Sequence, residues 1–212
     1  MTGPAYAFLL IALVFAVGDW AARLTENTGL EYICKPATLV ALTLTAVVLS
    51  PASAAGARRD WFVAALVCSL VGDVLLMLPS DLFVAGLAAF LVGHLLYLAG
   101  FWSQRPGRLA LGVSAAVVAV AVAPFAVRIV KALRGQPHLR PPVAIYMVVI
   151  AAVLASALAT GNVLAGIGAV LFVSSDTMIA WNRFVRPFRA ADVGIMVTDH
   201  LGQAALVLSL LR

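Results

Sequence analysis

The sequence predicts an all-α fold, a polytopic bundle of about eight membrane-spanning helices, and three observations carry that expectation. Apolar residues make up 64% of the 212 positions, with a mean hydropathy of +1.08. Charged residues make up only 11%, where a soluble domain carries about 25%. The apolar residues gather into runs near 20 long, the length that crosses about 30 Å of hydrocarbon as a helix. High hydropathy with so little charge excludes a disordered chain as well as an ordinary soluble one. At about 20 residues per span the chain holds at most nine or ten spans. No length remains for a second, soluble domain, so residues 1–212 read as a single integral membrane domain.

Charge and Gly/Pro punctuation set the elements in order. The first run covers residues 5–22. Met1 to Tyr6 carry no positive charge and no small-x-small cleavage site follows, so this run reads as a span and not a secretory signal. It closes at Asn27-Thr28-Gly29. The second run, 34–50, has Lys35-Pro36 at its head and is closed by Pro51, Ala54-Ala55-Gly56 and Arg58-Arg59. The third, 61–78, ends at Pro79-Ser80-Asp81, and the fourth, 82–102, at Pro106-Gly107. The fifth, 109–128, leads into the longest loop, from Arg134-Gly135-Gln136-Pro137 to Pro141-Pro142. The sixth, 142–160, turns at Gly161-Asn162 into the seventh, 163–181. A loop with Arg183, Arg186, Pro187 and Arg189 then precedes the eighth, 192–211. Cys34 and Cys68 fall inside apolar runs, which gives no disulfide framework.

Loops between eight spans alternate between two faces. The face reached after the odd runs holds Arg23, Arg128, Lys131, Arg134, Arg140, Arg183, Arg186 and Arg189, and the other holds Arg58, Arg59, Arg105, Arg108 and Arg212. By the positive-inside rule the first face is expected to be cytoplasmic, with both termini outside. The expected location is the bacterial inner membrane. The net charge of +5 is scattered through the loops without an aromatic-interleaved patch, which argues against nucleic-acid binding.

Charged groups inside spans cost several kcal/mol, so each intramembrane one is a functional candidate. Asp19 lies near the end of run one, Lys35 at the start of run two, Asp73 near the end of run three, and His94 and Tyr97 deep in run four. Tyr146 opens run six, Asp176 nears the end of run seven, and Asp199, His200 and Gln203 occupy the first half of run eight. Odd helices end, and even helices begin, at the same face. Asp19, Lys35, Asp73, Tyr146, Asp176 and Asp199 therefore fall at similar depth, one to two turns below it. Ser69 with Asp73 and Asp199 with Gln203 are spaced i,i+4, and His94 with Tyr97 i,i+3, so each pair shares a helix face. Gly72, Gly86, Gly93, Gly168 and Ser175 allow helices to pack closely around this layer. The layer reads as a polar pocket in a helical bundle. Plainer readings stand beside it: Asp19 as an interfacial residue, Lys35 as a snorkelling lysine, Asp73 and Asp176 as a structural ion pair or hydrogen bond, and His94 as an interhelical hydrogen-bonding histidine.

Run three contains Cys68-Ser69-Leu70-Val71-Gly72-Asp73-Val74-Leu75-Leu76, run four Phe90-Leu91-Val92-Gly93-His94-Leu95-Leu96-Tyr97, and run seven Gly168-Ala169-Val170-Leu171-Phe172-Val173-Ser174-Ser175-Asp176 followed by Ala180. With Lys35-Pro36, this set in this order resembles the YhhN-like lysoplasmalogenase family of membrane proteins over nearly the whole chain. The resemblance implies an eight-helix enzyme that hydrolyses the vinyl ether bond of lysoplasmalogens to a fatty aldehyde and a glycerophospho-alcohol, with a lysophospholipid substrate, membrane lipids as partners and no cofactor. It implies Asp73 and Asp176 as the catalytic pair, with Lys35, His94, Tyr97, Tyr146 and Gln203 lining the site. Ser175 and Asp199, in the same layer, complete the expected substrate-binding set. The chain departs from the family pattern at Thr198-Asp199-His200, where tyrosine and other neutral residues are expected.

The residues suit this chemistry. Vinyl ether hydrolysis begins with proton transfer to an alkene carbon and continues with capture of the oxocarbenium ion by water, which calls for an acid and a base. One carboxyl kept protonated by its surroundings and one ionised carboxylate divide that work. Two other classes stay open. A metal-dependent lipid hydrolase would use His94, His200 and some of Asp73, Asp176 and Asp199, although no His-x-x-x-His or Glu-x-x-His spacing exists. A small proton-coupled transporter would use the intramembrane carboxylates as relays.

Overall fold

The computed structural model describes residues 1–51 and 56–211; Ala54, Ala55 and Arg212, used above for a break and for the charge count, lie outside the described residues. Eight α-helices follow: α1 (Gly3–Leu24), α2 (Thr28–Val48), α3 (Gly56–Met77), α4 (Phe83–Trp102), α5 (Arg108–Ala132), α6 (Arg140–Ala159), α7 (Val163–Phe184) and α8 (Ala191–Leu208). All eight are long and apolar enough to cross a membrane once short 3₁₀ extensions of α5 and α8 are included. The chain is an integral membrane protein.

Several boundaries move from their expected places, the largest shifts being at the starts of α2 and α3. Helix α2 begins at Thr28, six residues before the apolar run, because the Asn27 side chain accepts from the Leu30 amide at 3.1 Å and caps the helix there. Thr28 and Gly29 are thus helical, and Pro36 lies inside α2 instead of near its start. Helix α3 begins at Gly56, five residues early, and carries Arg58 into the bundle. Helix α7 runs to Phe184. It starts as predicted, with Gly161 at φ +70° making the turn and Asn162 accepting from the Ala165 amide at 3.1 Å.

Consecutive helices pack as antiparallel hairpins: α1 on α2, α3 on α4, α5 on α6 and α7 on α8. Further packing of α2 on α3, α4 on α6, α6 on α7 and α8 on α1 closes a ring. Helix α5 stands outside it, buries only Val118 and Ile129, and leans on α6 and more lightly on α7. Glycines set the closest approaches. A Cβ at Gly72 would lie 2.6 Å from the Phe90 ring, and one at Gly168 would lie 2.8 Å from the Gly202 carbonyl oxygen. The first contact draws α3 to α4 beside Asp73, and the second draws α7 to α8 below Asp176.

Arg58 is fully buried at the end of the bundle opposite the polar layer. Its guanidinium donates to Gln104 Oε1 at 2.8 Å and to the Ser209 carbonyl at 2.7 Å, and lies over the Phe62 ring at 5.8 Å. Counting Arg58 as a loop charge is therefore corrected. It ties α3 to the Ser209 carbonyl just past α8, which also accepts from Asn162 Nδ2 at 3.0 Å.

Candidate active site

The polar layer is present and buried. Asp19, Lys35, Asp73, His94, Tyr97, Tyr146, Ser175, Asp176, Asp199, His200 and Gln203 are each at most 5% exposed. Two pairs organise it. Lys35 Nζ lies 3.0 Å from Asp73 Oδ1, joining the first half of α2 to the end of α3. Lys35 is not a snorkelling residue; it reaches into the bundle to a carboxylate. His94 Nε2 lies 3.0 Å from Asp176 Oδ2, joining the middle of α4 to α7. That approach is short without being in line, and neither atom has a hydrogen-bond partner among the described residues.

The His94 ring is fixed from its other side. Nδ1 lies 2.7 Å from the Phe90 carbonyl oxygen. A carbonyl only accepts, so Nδ1 carries a proton. Nε2 is left facing Asp176 Oδ2, close enough for a proton to pass between them once the two groups align. The ring packs on Phe172 at 4.7 Å and edge-on to Tyr146 at 5.4 Å. Tyr146 and Asp176 line the same narrow space.

The remaining residues surround these pairs. Gln203 Nε2 donates to both carboxylate oxygens of Asp199 at 3.1 Å, the bond their i,i+4 spacing allows. Asp199 lies within electrostatic range of Asp73, Lys35 and Asp176. Ser175 Oγ donates to the Ile195 carbonyl at 3.0 Å, so its proton is engaged in holding α7 to α8. Among the described residues the Tyr97 hydroxyl, Ser69 Oγ, Asp73 Oδ2 and Gln203 Oε1 have no hydrogen-bond partner.

Two residues gain importance over their sequence reading. Asp19 is not interfacial: it is 0% exposed, neither oxygen has a hydrogen-bond partner among the described residues, and it lies within electrostatic range of Lys35 and Asp73. His200 points away from the pairs, accepts from Trp20 Nε1 at 3.2 Å through Nδ1, and holds α8 to α1. The signal for Asp19 was present, since it shares the depth of Asp73. What hid it was its distance of a few residues from a loop.

Two cavities meet at the pairs. One, of about 130 Å³, is lined by Arg23, Lys35, Asp73 and Asp192 together with Leu76, Ile179, Ile195 and Met196. The other is a narrow slot of about 20 Å³ between α4, α6 and α7, with Asp176 and Tyr146 set among apolar residues that include Phe90, Met147 and Phe184. Leu76 and Ile179 line both and separate them. Arg23, at the mouth of the polar cavity, is braced by Glu31 at 2.8 Å. Among the described residues no group of three or more His, Cys, Asp or Glu side chains converges in a way that would hold a metal ion.

The YhhN family model matches residues 30–210, a stretch that contains both pairs. The chain belongs to the YhhN family. Human Lysoplasmalogenase TMEM86B is 38% identical over 167 residues, covering 78% of this chain and 68% of that protein. The rat Lysoplasmalogenase TMEM86B is 35% identical over 182 residues, covering 84% and 71%. A Lysoplasmalogenase of Mycobacterium bovis is 33% identical over 189 residues, covering 86% and 70%. No solved structure matches the chain. Within this YhhN chain, all the residues described as the polar layer except Asp19 fall inside the matched stretch.

Proposed function

We propose that this protein is a membrane hydrolase that cleaves the vinyl ether bond of lysoplasmalogens, releasing a fatty aldehyde and a glycerophospho-alcohol. The observation that carries the reading is the division of the two aspartates between adjoining cavities: Asp73 in a polar one with Arg23 and Lys35, and Asp176 in an apolar slot. In a lysoplasmalogen the vinyl ether is the junction between headgroup-bearing glycerol and hydrocarbon chain. A lipid with its headgroup beside Arg23 and its chain directed into the slot, which at about 20 Å³ admits a chain only when its lining side chains move apart, has that junction at the Leu76–Ile179 wall, between the two carboxyls. The names of the relatives support the same reaction.

In this mechanism the Asp176–His94 pair supplies the proton. It passes to the alkene carbon farther from the ether oxygen, and the double-bond electrons form the new C–H bond. The oxygen lone pair shares the positive charge left on the neighbouring carbon. Asp73, with Lys35 as its counter-charge, is the carboxylate that faces this cation and takes a proton from the attacking water. The hemiacetal then collapses to aldehyde and alcohol, and the proton taken up returns to His94–Asp176. Tyr146, beside Asp176, orients the acid, while Tyr97 and the Asp199–Gln203 pair line the deeper polar wall. The site opens toward the face richer in basic loops, which we assign to the cytoplasm of a bacterial inner membrane.

The test is incubation of the purified protein with a vinyl ether lysophospholipid and, separately, with its saturated ether analogue. Aldehyde from the first alone is expected, and its loss in Asp73→Asn and Asp176→Asn variants that insert normally. No aldehyde from the vinyl ether, or full turnover in both variants, overturns the reading.

A further inference from the structure

Helix α5 is set apart from the ring, and between it and α6 runs a groove of about 650 Å³, far larger than either cavity at the aspartates. That volume is in the range of roughly 300–1,000 Å³ typical of ligand sites. Its cause is local. Ala119, Ala123 and Ala126 of α5 and Ala144 and Ala151 of α6 are among the residues that line it, so small side chains leave open a gap that larger ones would have closed. Pro124 interrupts the α5 hydrogen-bond ladder at the same level.

The groove is not uniformly apolar. Lys131, in the last turn of α5, and Arg140, the first residue of α6, line one end, and neither forms a salt bridge among the described residues. Both lie at the membrane face where the polar layer sits. The arrangement is an apolar trough ending in two cations, complementary to a hydrocarbon chain carrying a phosphate. Met147 of α6 lines both this groove and the slot that holds Asp176, so its side chain is the partition between them.

We propose that the α5–α6 groove is a second lipid site that receives a single-chain lysophospholipid from the bilayer, with its phosphate on Lys131 and Arg140 and its chain over the alanines. From there the lipid reaches Asp176 by displacement of the Met147 side chain. The choice of a lysophospholipid rests on the function proposed above.

The probe is a saturated ether lysophosphocholine bearing a diazirine in its chain, which the enzyme cannot cleave, photolysed with the protein in diacyl phosphatidylcholine vesicles. Labelling is expected on α5 and α6 around Ala119 to Ala126. It should fall about tenfold in the Lys131→Glu, Arg140→Glu double variant, through lost phosphate attraction, and also in Ala123→Trp, which fills the trough. Both substitutions lie on a lipid-facing surface, so circular dichroism should show wild-type helix content. Labelling spread evenly over all outward faces, labelling unchanged in both variants, or equal displacement by added diacyl lipid would overturn the proposal. Because the probe is not a substrate, groove labelling by a protein that makes no aldehyde would retain this site and reject the vinyl ether reaction. Aldehyde formation without groove labelling would do the reverse.

Discussion

Replacing Lys35 by Met tests the pairing on which the polar cavity depends. The Lys35 and Asp73 side chains are 3% and 2% exposed, and Nζ lies 3.0 Å from Oδ1. An exposed ion pair is worth about 0–1 kcal/mol. A pair this buried behaves differently, because removing one partner leaves the other charge unpaired in the bundle, at about 3–5 kcal/mol. For a chain of this size about 1 kcal/mol moves the midpoint by 2–4 °C, so Lys35→Met should lower it by roughly 6–20 °C. Asp73→Asn strands the lysine and should cost a similar amount. The double variant removes both charges and should recover most of either loss, giving a coupling of at least about 2 kcal/mol. Helix loss on heating in detergent, followed by circular dichroism, reads all three. Losses that add within about 0.5 kcal/mol would show that the two groups do not interact, and the reasoning would fail.

Three other predictions follow from other contacts in the bundle. Arg58→Met should destabilise by about 2–3 kcal/mol, since charge-assisted bonds to Gln104 and the Ser209 carbonyl are lost. Its kcat should stay at the wild-type value, because Arg58 sits at the other end of the bundle, and a large fall in kcat in folded protein would contradict the placement. Asp81→Asn breaks an ion pair to Arg183 at 2.9 Å whose partners are 66% and 46% exposed, so the melting midpoint should move by less than about 1 kcal/mol equivalent. Gly72→Ala forces a methyl to 2.6 Å from the Phe90 ring and should cost about 1–3 kcal/mol. Because the Phe90 carbonyl holds His94 Nδ1, turnover should fall in the same variant, measured as aldehyde released per folded protein.

Much of this arrangement was legible in the sequence because the bilayer makes charge conspicuous. Hydrocarbon tolerates few ionisable groups, so Asp73, His94, Asp176 and Asp199 stand out inside apolar runs, and alternation of the helices alone puts them at one depth. The pairing was not legible. Whether Lys35 meets Asp73 or Asp19, and whether His94 meets Asp176 or Asp199, depends on helix rotation and on which helices are neighbours, and apolar periodicity is weak when both lipid and core are apolar. The position of α5 outside the ring was hidden for the same reason. Arg58 and Asp19 were misread because hydropathy treats a charge near a loop as part of it, whereas Arg58 carries its own partners into the bundle. The start of α2 depended on a single cap, Asn27, in a stretch that otherwise looks like a turn.

The central claim is that a proton is delivered to carbon before water attacks, and turnover in D₂O tests it most directly. The released aldehyde is trapped as it forms and weighed by mass spectrometry. One deuterium on the carbon next to the aldehyde, present in wild type and absent together with product in Asp176→Asn, is the predicted result. Aldehyde without deuterium at that carbon, or labelled aldehyde at the wild-type rate from Asp176→Asn, would contradict it.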